Sequence, residues 1–370
     1  MFPYFLLLFV STVFPLLFYK TKRGILVFGD NRIAPQRNKI TILFFFVGLF
    51  ILLALRDITV GTDLIEYKAI FELCDRASFE ELTNFRWELG YTVYNKLFAF
   101  VSKNYRFFLI VTAAITLIPI YKLYSKETKY SFLLIVLFIN MPCFLMIFSG
   151  LRQAIAISIG VFVFMALEKK KYILSALLIL FASWFHVSAW VLLLLYPAFF
   201  AKIKVKHLLF VLPSVFAIYI FRIPLLATLI TLMPDQYIDY YGEIEETGAI
   251  GMMILFLIFS TFAFVVLDEA YMTKRDYFLR NILLIATILQ FFVPIHGLVQ
   301  RMSYYFLIFV PVAIISIVQT PRKMMKNVSD VAVIVMSCFF VLYFFYNGMF
   351  STDNLLDVFP YKFFWSGNQW

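Results

Sequence analysis

The sequence contains a long series of apolar runs, and this series is the feature that most constrains its fold. A helix that crosses a bilayer needs about 20 predominantly apolar residues. Twelve runs approach or reach that length, and they lie near residues 2–19, 40–55, 106–121, 130–147, 154–167, 172–184, 188–201, 207–221, 252–267, 279–295, 303–319 and 330–347. The pattern predicts an all-α, polytopic integral membrane helix bundle with about 12 transmembrane helices.

The composition excludes most other classes of protein. The 370 residues are 63% hydrophobic and 15% charged, whereas soluble domains are about 45–50% apolar and about 25% charged. Because a soluble domain of this size cannot bury so much apolar surface, that surface must face lipid. A cytosolic enzyme, a disordered protein and a secreted disulfide scaffold are therefore excluded, and we expect residues 1–370 to form one integral membrane domain.

The charges between the apolar runs predict how the chain is oriented. With the N-terminus outside, the cytoplasmic loops are 20–39, 122–129, 168–171, 202–206, 268–280 and 320–330. These loops hold 21 of the 32 Lys and Arg residues but only 7 of the 22 Asp and Glu residues. This distribution obeys the positive-inside rule and predicts that both termini are extracytoplasmic. The net charge of +10 therefore reflects topology, and we expect no nucleic-acid partner.

Two of the predicted outer loops are long, namely residues 56–105 and 222–251. Ser78 and Glu81 in the first loop have the spacing of a capping box, which opens helices. We expect this loop to contain amphipathic helices at the membrane surface. The segment around His186, between the runs 172–184 and 188–201, is predicted to form a tight hairpin at the same face of the membrane.

Polar residues in apolar surroundings are the candidates for function. A charge at the bilayer centre costs about 2.5–3.5 kcal/mol on insertion scales, so such residues are functional by default. Arg152 and Arg301 are each the only charge in a long apolar stretch, and we expect both to be unpaired. Because a guanidinium binds phosphate bidentately and keeps its proton, they indicate an anionic ligand.

The other polar candidates lie near the same predicted outer face, and structural roles compete with functional ones for most of them. They are Arg56, Asp57, Asp63, Tyr67, Gln153, His186, His296, Tyr304 and Tyr305. The first two are also compatible with an interfacial ion pair. A lone histidine is more often structural, and paired tyrosines are common in the interfacial aromatic belt. The two isolated arginines fit such structural roles least.

Several of these fragments, taken in order, resemble the EpsG family of Wzy-like polysaccharide polymerases. The matching fragments are Arg56-Asp57, Gly61-x-Asp63 with Tyr67, Glu88-x-Gly90-Tyr91, Gly150-Leu-Arg152-Gln153, Phe185-His186-x-Ser188 and Arg301-x-x-Tyr304-Tyr305-Phe306. The resemblance implies a multi-pass protein of the bacterial cytoplasmic (inner) membrane that polymerises O-antigen, capsule or exopolysaccharide repeat units. It also implies undecaprenyl-pyrophosphate-linked oligosaccharides as substrates and an active site that faces the periplasm or exterior.

This resemblance gives the candidate residues expected roles. Arg152 and Arg301 would stabilise the pyrophosphate leaving group as it gains negative charge. His186, Asp57 or Asp63 would take the proton of the acceptor hydroxyl as general base, or would only orient that hydroxyl, and these alternatives remain open. The expected substrate-binding residues are Arg56, Tyr67, Gln153, Tyr304, Tyr305 and His296.

The expected partners are lipid-linked glycans and the lipid bilayer, with a chain-length regulator and a flippase as further candidates. We expect neither a metal ion nor a cofactor. A flippase for lipid-linked oligosaccharides, a glycan ligase that uses the same donor, and a membrane O-acyltransferase are the alternatives. A transporter should place polar residues near the bilayer midplane. The predicted crowding of polar residues at one face instead favours chemistry there.

Overall fold

The computed structural model describes residues 1–18, 34–127, 129–230, 246–295, 297–319, 326–350 and 356–366. Over these residues the chain is helical, which confirms the predicted all-α membrane architecture. The chain divides into two compact units. The first unit is Met1–Trp190 together with Ala332–Trp370, and the second is Val191–Val331. One integral membrane domain over residues 1–370 stays a prediction.

The first unit contains the helices that carry most of the sequence candidates. They are α1 Phe2–Phe18, α2 Ala34–Leu55, α3 Leu64–Arg76, α4 Leu89–Val101, α5 Tyr105–Tyr124, α6 Ser131–Ile139, α7 Pro142–Ser149, α8 Leu151–Glu168 and α9 Tyr172–Ser183. Helix α2 packs against α1, α5 and α6, while α8 packs against α5 and α9. The final helix of the chain, numbered α17 (Lys326–Phe350), joins this unit from Ala332 onwards.

The second unit is built around one long helix. Its helices are α10 Leu195–Phe200, α11 Leu208–Ile220, α12 Arg222–Ile230, α13 Glu246–Val266, α14 Lys274–Gln290, α15 Gly297–Leu307 and α16 Val310–Gln319. Helix α14 packs against α10, α13, α15 and α16. Asn281 on α14 donates hydrogen bonds to the carbonyls of Ala198 and Ala201, at 2.9 and 2.8 Å. The buried Arg280 donates to the Ile203 carbonyl, so α14 also fixes the chain that follows α10.

The predicted number of transmembrane helices is not confirmed. Among the described residues, four helices contain a stretch long and apolar enough to cross a membrane, namely α2, α5, α8 and α17. Up to seven spans result if each of three bent helix pairs counts as one span. The runs predicted as two spans at 188–201 and 207–221 form one of these pairs, with a bend of 117°. Three shorter apolar helices lie at other predicted spans, at Phe2–Val13, Tyr172–Ser183 and Ile250–Val266.

Prolines explain two of the bends that hydropathy alone does not predict. The α6–α7 pair bends by 63° and the α15–α16 pair by 45°. Pro142 is the first residue of α7 and Pro311 is the second residue of α16. Proline lacks the N–H that would continue the preceding helix, and it disfavours helical geometry in the residue before it. An apolar run can therefore be continuous in sequence and broken in structure.

The predicted outer loop 56–105 does contain helices. Helices α3 and α4 lie within it and pack against each other. The capping box also forms, because the Ser78 N–H donates to Glu81 Oε2 at 2.6 Å and the Glu81 N–H donates to Ser78 Oγ at 3.3 Å. It opens the short 3-10 turn Glu81–Asn84. The helices are thus confirmed, while their position at the membrane surface stays a prediction; residues 231–245 of the second outer loop lie outside the described residues.

Candidate functional site

The chain leaves α2 through Arg56, whose side chain is deeply buried. The residue is 2% exposed, and its guanidinium lies 5.7 Å from the ring centre of Phe148. Within the described part of the chain, its side chain has neither a hydrogen bond nor an ion pair, and Nε is buried. Burial lowers the pKa of Arg56 to about 10, because removal from water penalises the charged form.

Asp57 does not form the ion pair with Arg56 that the sequence allowed. Its Oδ1 instead accepts hydrogen bonds from the Thr59 N–H at 3.0 Å and from Thr59 Oγ1 at 2.9 Å. This is the local turn that aspartate side chains commonly form with the backbone two residues on. The Arg106 guanidinium supports the same region, since Nη1 donates to the carbonyls of Ala54 and Arg56 at 2.9 and 2.7 Å.

The end of the chain packs across this loop, which the sequence did not indicate. We call residues 356–366 the C-terminal strap. Backbone N–H groups of the loop donate to strap carbonyls, from Asp57 to Lys362 (2.9 Å), Gly61 to Asp357 (3.2 Å) and Thr62 to Leu356 (3.1 Å). In the other direction, the Tyr361 hydroxyl donates to the Leu52 carbonyl at 2.7 Å. The strap therefore satisfies backbone groups that would otherwise be unpaired at the end of α2.

Gly61 brings the loop against the break between α7 and α8. Its φ of +111° is a conformation that residues with a Cβ rarely adopt, and a Cβ here would collide with the Phe148 carbonyl oxygen. Two residues later, the Asp63 N–H donates to Ser149 Oγ at 3.3 Å. Gly61 thus marks both a turn and a close approach, and it brings Asp63 next to the segment that leads into Arg152.

Arg152 lies in the first turn of α8, and the expectation that it is unpaired is wrong. Its Nη1 lies 2.5 Å from Glu88 Oε2, with the two side chains 22% and 20% exposed. The guanidinium carbon is also 6.0 Å from the ring centre of Tyr67. Burial raises the pKa of Tyr67, while Arg152 opposes that rise and Asp63 adds to it. Tyr67 therefore lies near both Arg152 and Asp63.

Glu88 also connects Arg152 to the predicted hairpin. Its Oε1 accepts a hydrogen bond from the Val187 N–H at 3.2 Å. Close by, α4 approaches the same segment at Gly90, where a Cβ would lie 2.6 Å from the carbonyl oxygen of Trp184. The sequence fragment Glu88-x-Gly90 could have indicated these contacts, but the sequence alone assigned Glu88 no role in the site.

His186 follows α9 and is 8% exposed. Its Nδ1 lies 2.7 Å from Ser188 Oγ and 3.3 Å from the Ser188 backbone nitrogen. Because a backbone N–H can only donate, Nδ1 acts as the acceptor and the neutral ring carries its proton on Nε2. In that tautomer His186 can donate a hydrogen bond but cannot take a proton through Nε2.

The remaining candidates divide between the two units. Gln153 is buried next to Arg152 at the start of α8. Arg301 is partly buried on α15 of the second unit, and Tyr304 and Tyr305 on the same helix are 5% and 1% exposed. The two tyrosines are thus buried within their unit rather than at its surface. The last candidate, His296, lies outside the described residues.

A family model identifies the kind of protein that carries this arrangement. The model described as EpsG family matches residues 39–363, which cover most of the chain and all of the candidate residues. The chain belongs to the EpsG family. Members of this family are Wzy-like polymerases, so the protein is a membrane-integral member of a polysaccharide polymerase family. No curated protein and no solved structure matches the chain.

The family match covers the parts of the chain that form the candidate site. The matched range includes most of α2, the Arg56–Asp63 loop, α8 and most of the C-terminal strap. No group of three or more His, Cys, Asp or Glu side chains converges among the residues that the structure describes. Independence from metal ions stays a prediction. The charged groups that the structure does bring together are Arg152 and Glu88, with Asp63 nearby.

Proposed function

We propose that the protein polymerises undecaprenyl-pyrophosphate-linked oligosaccharide repeat units on the outer face of the bacterial cytoplasmic membrane. The observation that carries this proposal is Arg152, a partly exposed guanidinium held by Glu88 beside Tyr67 and Asp63. Together with membership of the EpsG family, it supports a site for transfer from an anionic leaving group. The product is O-antigen, capsule or exopolysaccharide, and neither a metal ion nor a cofactor takes part.

In the proposed reaction, a hydroxyl oxygen of the acceptor glycan attacks the anomeric carbon of the donor. The bond between that carbon and the pyrophosphate oxygen breaks, and its electron pair leaves with undecaprenyl pyrophosphate. Arg152 donates N–H groups to the phosphate oxygens as their negative charge grows, and a preorganised donor is effective there because it needs no reorganisation. Arg301 is assigned a role in stabilising the leaving group on sequence grounds alone.

The proton of the attacking hydroxyl passes to a general base, and we assign this role to Asp63. Three observations support this choice over the alternatives. Asp57 is engaged by Thr59, and the Nδ1 of His186 is engaged by Ser188. In contrast, the partly exposed Asp63 carboxylate accepts no hydrogen bond from any residue that the structure describes. His186 then serves as a hydrogen-bond donor to the sugar.

The other sequence candidates bind substrate in this proposal. Tyr67, next to Arg152, and Gln153 contact the donor. Tyr304 and Tyr305, which lie on α15 like Arg301, also bind substrate. Arg56 contributes its positive charge, and His296 is assigned with them on sequence grounds alone. The lipid chains lie among the apolar helices, and a chain-length regulator and a flippase are the proposed protein partners.

The test is polymerisation of a defined lipid-linked repeat unit by the purified protein, with chain length measured by gel electrophoresis. We expect Arg152→Ala and Arg301→Ala each to abolish long glycan chains at normal protein levels. Arg86→Ala is the matched control, because Arg86 forms an exposed ion pair with Glu66. Wild-type chain length in both test variants would overturn the catalytic roles.

The same variants in cells separate the proposed function from its alternatives. Loss of a polymerase leaves single repeat units on their carrier at the outer leaflet. Loss of a flippase accumulates them at the cytoplasmic leaflet, and loss of a ligase leaves complete chains on the carrier. Either of the last two results would contradict polymerisation.

A further inference from the structure

We infer that Glu88 is a positioning residue that sets both the orientation of Arg152 and the strength with which Arg152 holds an anion. This inference rests on the proposed function, because it concerns the guanidinium that stabilises the leaving group there. Glu88 would not contact the reacting atoms. Its effect would pass through Arg152 and through the segment that carries His186.

The two oxygens of the Glu88 carboxylate have different partners. Oε2 pairs with Arg152 Nη1 at 2.5 Å, and Oε1 accepts from the Val187 N–H at 3.2 Å. One rigid carboxylate therefore joins the start of α8 to the segment that follows α9. Both bonds are made to an ionised carboxylate, and the shorter one, which also has a charged donor, holds the Arg152 guanidinium.

The backbone of Glu88 is itself held in place. The residue precedes α4 in an extended conformation, with φ −60° and ψ +134°. Its carbonyl accepts the first hydrogen bonds of that helix, from the N–H groups of Tyr91 and Thr92 at 3.0 and 3.2 Å. Gly90 then allows the helix to approach the Trp184 backbone closely. The carboxylate is thus presented by a fixed helix end, which is what a positioning residue requires.

The pairing has a predictable effect on anion binding. Nη1 is committed to Glu88, so a phosphate must bind other N–H groups of the Arg152 guanidinium. The nearby carboxylate also lowers the positive potential that a diphosphate meets, and partial burial strengthens this effect. A polymerase must release undecaprenyl pyrophosphate in every cycle. An arginine whose charge is compensated and whose orientation is fixed would therefore bind the product less tightly and allow faster turnover.

The decisive variant is Glu88→Gln, which keeps the shape of the side chain and removes its charge. We expect kcat per folded protein to fall about tenfold or more, as misplaced catalytic groups generally cause. At the same time, the inhibition constant for added undecaprenyl pyrophosphate should fall, because the product now binds more tightly. A merely structural role would not produce lower kcat together with tighter product binding. Glu88→Asp should keep the product affinity near the wild-type value and recover part of kcat.

Two controls make the test specific. Glu66→Gln removes the carboxylate of another Arg–Glu pair with the same 2.5 Å separation, but that pair is exposed, so we expect wild-type values. In an Arg152→Lys background, Glu88→Gln should have little further effect on kcat, because residues that act through each other are not additive. Size-exclusion chromatography gives the folded fraction for every variant.

The outcomes separate the two proposals. If the wild type does not polymerise the lipid-linked unit, the proposed function is wrong, whatever Glu88 does. If the wild type polymerises and Glu88→Gln matches it in kcat and product inhibition, the inference about Glu88 is wrong. It is equally wrong if Glu88→Gln only reduces the folded fraction, or if its effect is undiminished in the Arg152→Lys background.

Discussion

Gly90 is the position where the packing of the site can be tested most directly, through the variant Gly90→Ala. An ideal Cβ there would lie 2.6 Å from the carbonyl oxygen of Trp184 and 2.7 Å from its Cβ, whereas ordinary contacts begin near 3.4 Å. Because two of the three closest atoms, O and C, belong to the backbone of Trp184, a side-chain rotation cannot relieve the collision. Helix α4 must therefore move away by about 0.8 Å, the difference between the first and last of these distances.

Two opposing contributions determine how Gly90→Ala changes the folding free energy. Alanine is favoured over glycine in a helix by up to about 1 kcal/mol, which would stabilise the variant. Overpacking of a well-packed site costs about 1–3 kcal/mol. The expected result is a net loss of folding free energy of up to about 3 kcal/mol. Gly251 on α13 provides the matched control, since nothing lies within 4 Å of its Cβ position. Gly251→Ala should stabilise the protein.

The same displacement of α4 should also affect polymerisation. The hydrogen bond from the Val187 N–H to Glu88 is 3.2 Å long, and a further 0.8 Å exceeds the range of hydrogen bonding. Gly90→Ala should therefore polymerise more slowly per folded protein, while Gly251→Ala should not. The measurements are thermal unfolding of the purified protein in detergent and the initial rate of polymerisation. If Gly90→Ala is at least as stable and as active as the wild type, the packing argument is refuted.

Two further variants test individual charges. Asp63→Asn should lower the polymerisation rate by about 10²-fold or more, as loss of a general base does; a wild-type rate would exclude Asp63 as the base. Arg56→Met should raise the midpoint temperature of thermal unfolding near neutral pH and reduce the rate of polymerisation. Burial lowers the pKa of Arg56 to about 10 on folding, so its charged form opposes folding by about 3 kcal/mol near neutral pH; a less stable variant would contradict this.

The sequence could predict the helical architecture because helix formation here depends on local composition. Apolar runs mark helices such as α2, α5 and α8 without reference to the rest of the chain. Capping at Ser78 and Glu81 was predictable for the same reason, since its two partners are three residues apart. The bends were not, because hydropathy treats Pro142 and Pro311 as ordinary members of an apolar run although each one interrupts a hydrogen-bond ladder.

The pairing of the site residues depended on contacts that are distant in sequence. Glu88 and Arg152 are 64 residues apart, and Arg152 is isolated within its own apolar stretch, so the sequence indicated an unpaired charge. The C-terminal strap is more remote still, since Tyr361 contacts the carbonyl of Leu52 at a separation of 309 residues. Neither contact leaves a pattern in the nearby sequence. For the strap, the reason is that it binds mainly through backbone groups, which every sequence provides.

Arg152 and Arg56 differ in the structure in both burial and partners. Arg152 is partly exposed and paired with Glu88, so it can exchange contacts with a ligand while its charge remains compensated. Arg56 is almost fully buried, and no described carboxylate lies within ion-pair distance of it. A phosphate could reach Arg56 only if the strap or the loop moved. At their observed positions, the guanidinium of Arg152 is partly accessible to an anion, whereas the buried Arg56 can act on an anion only through its electric field.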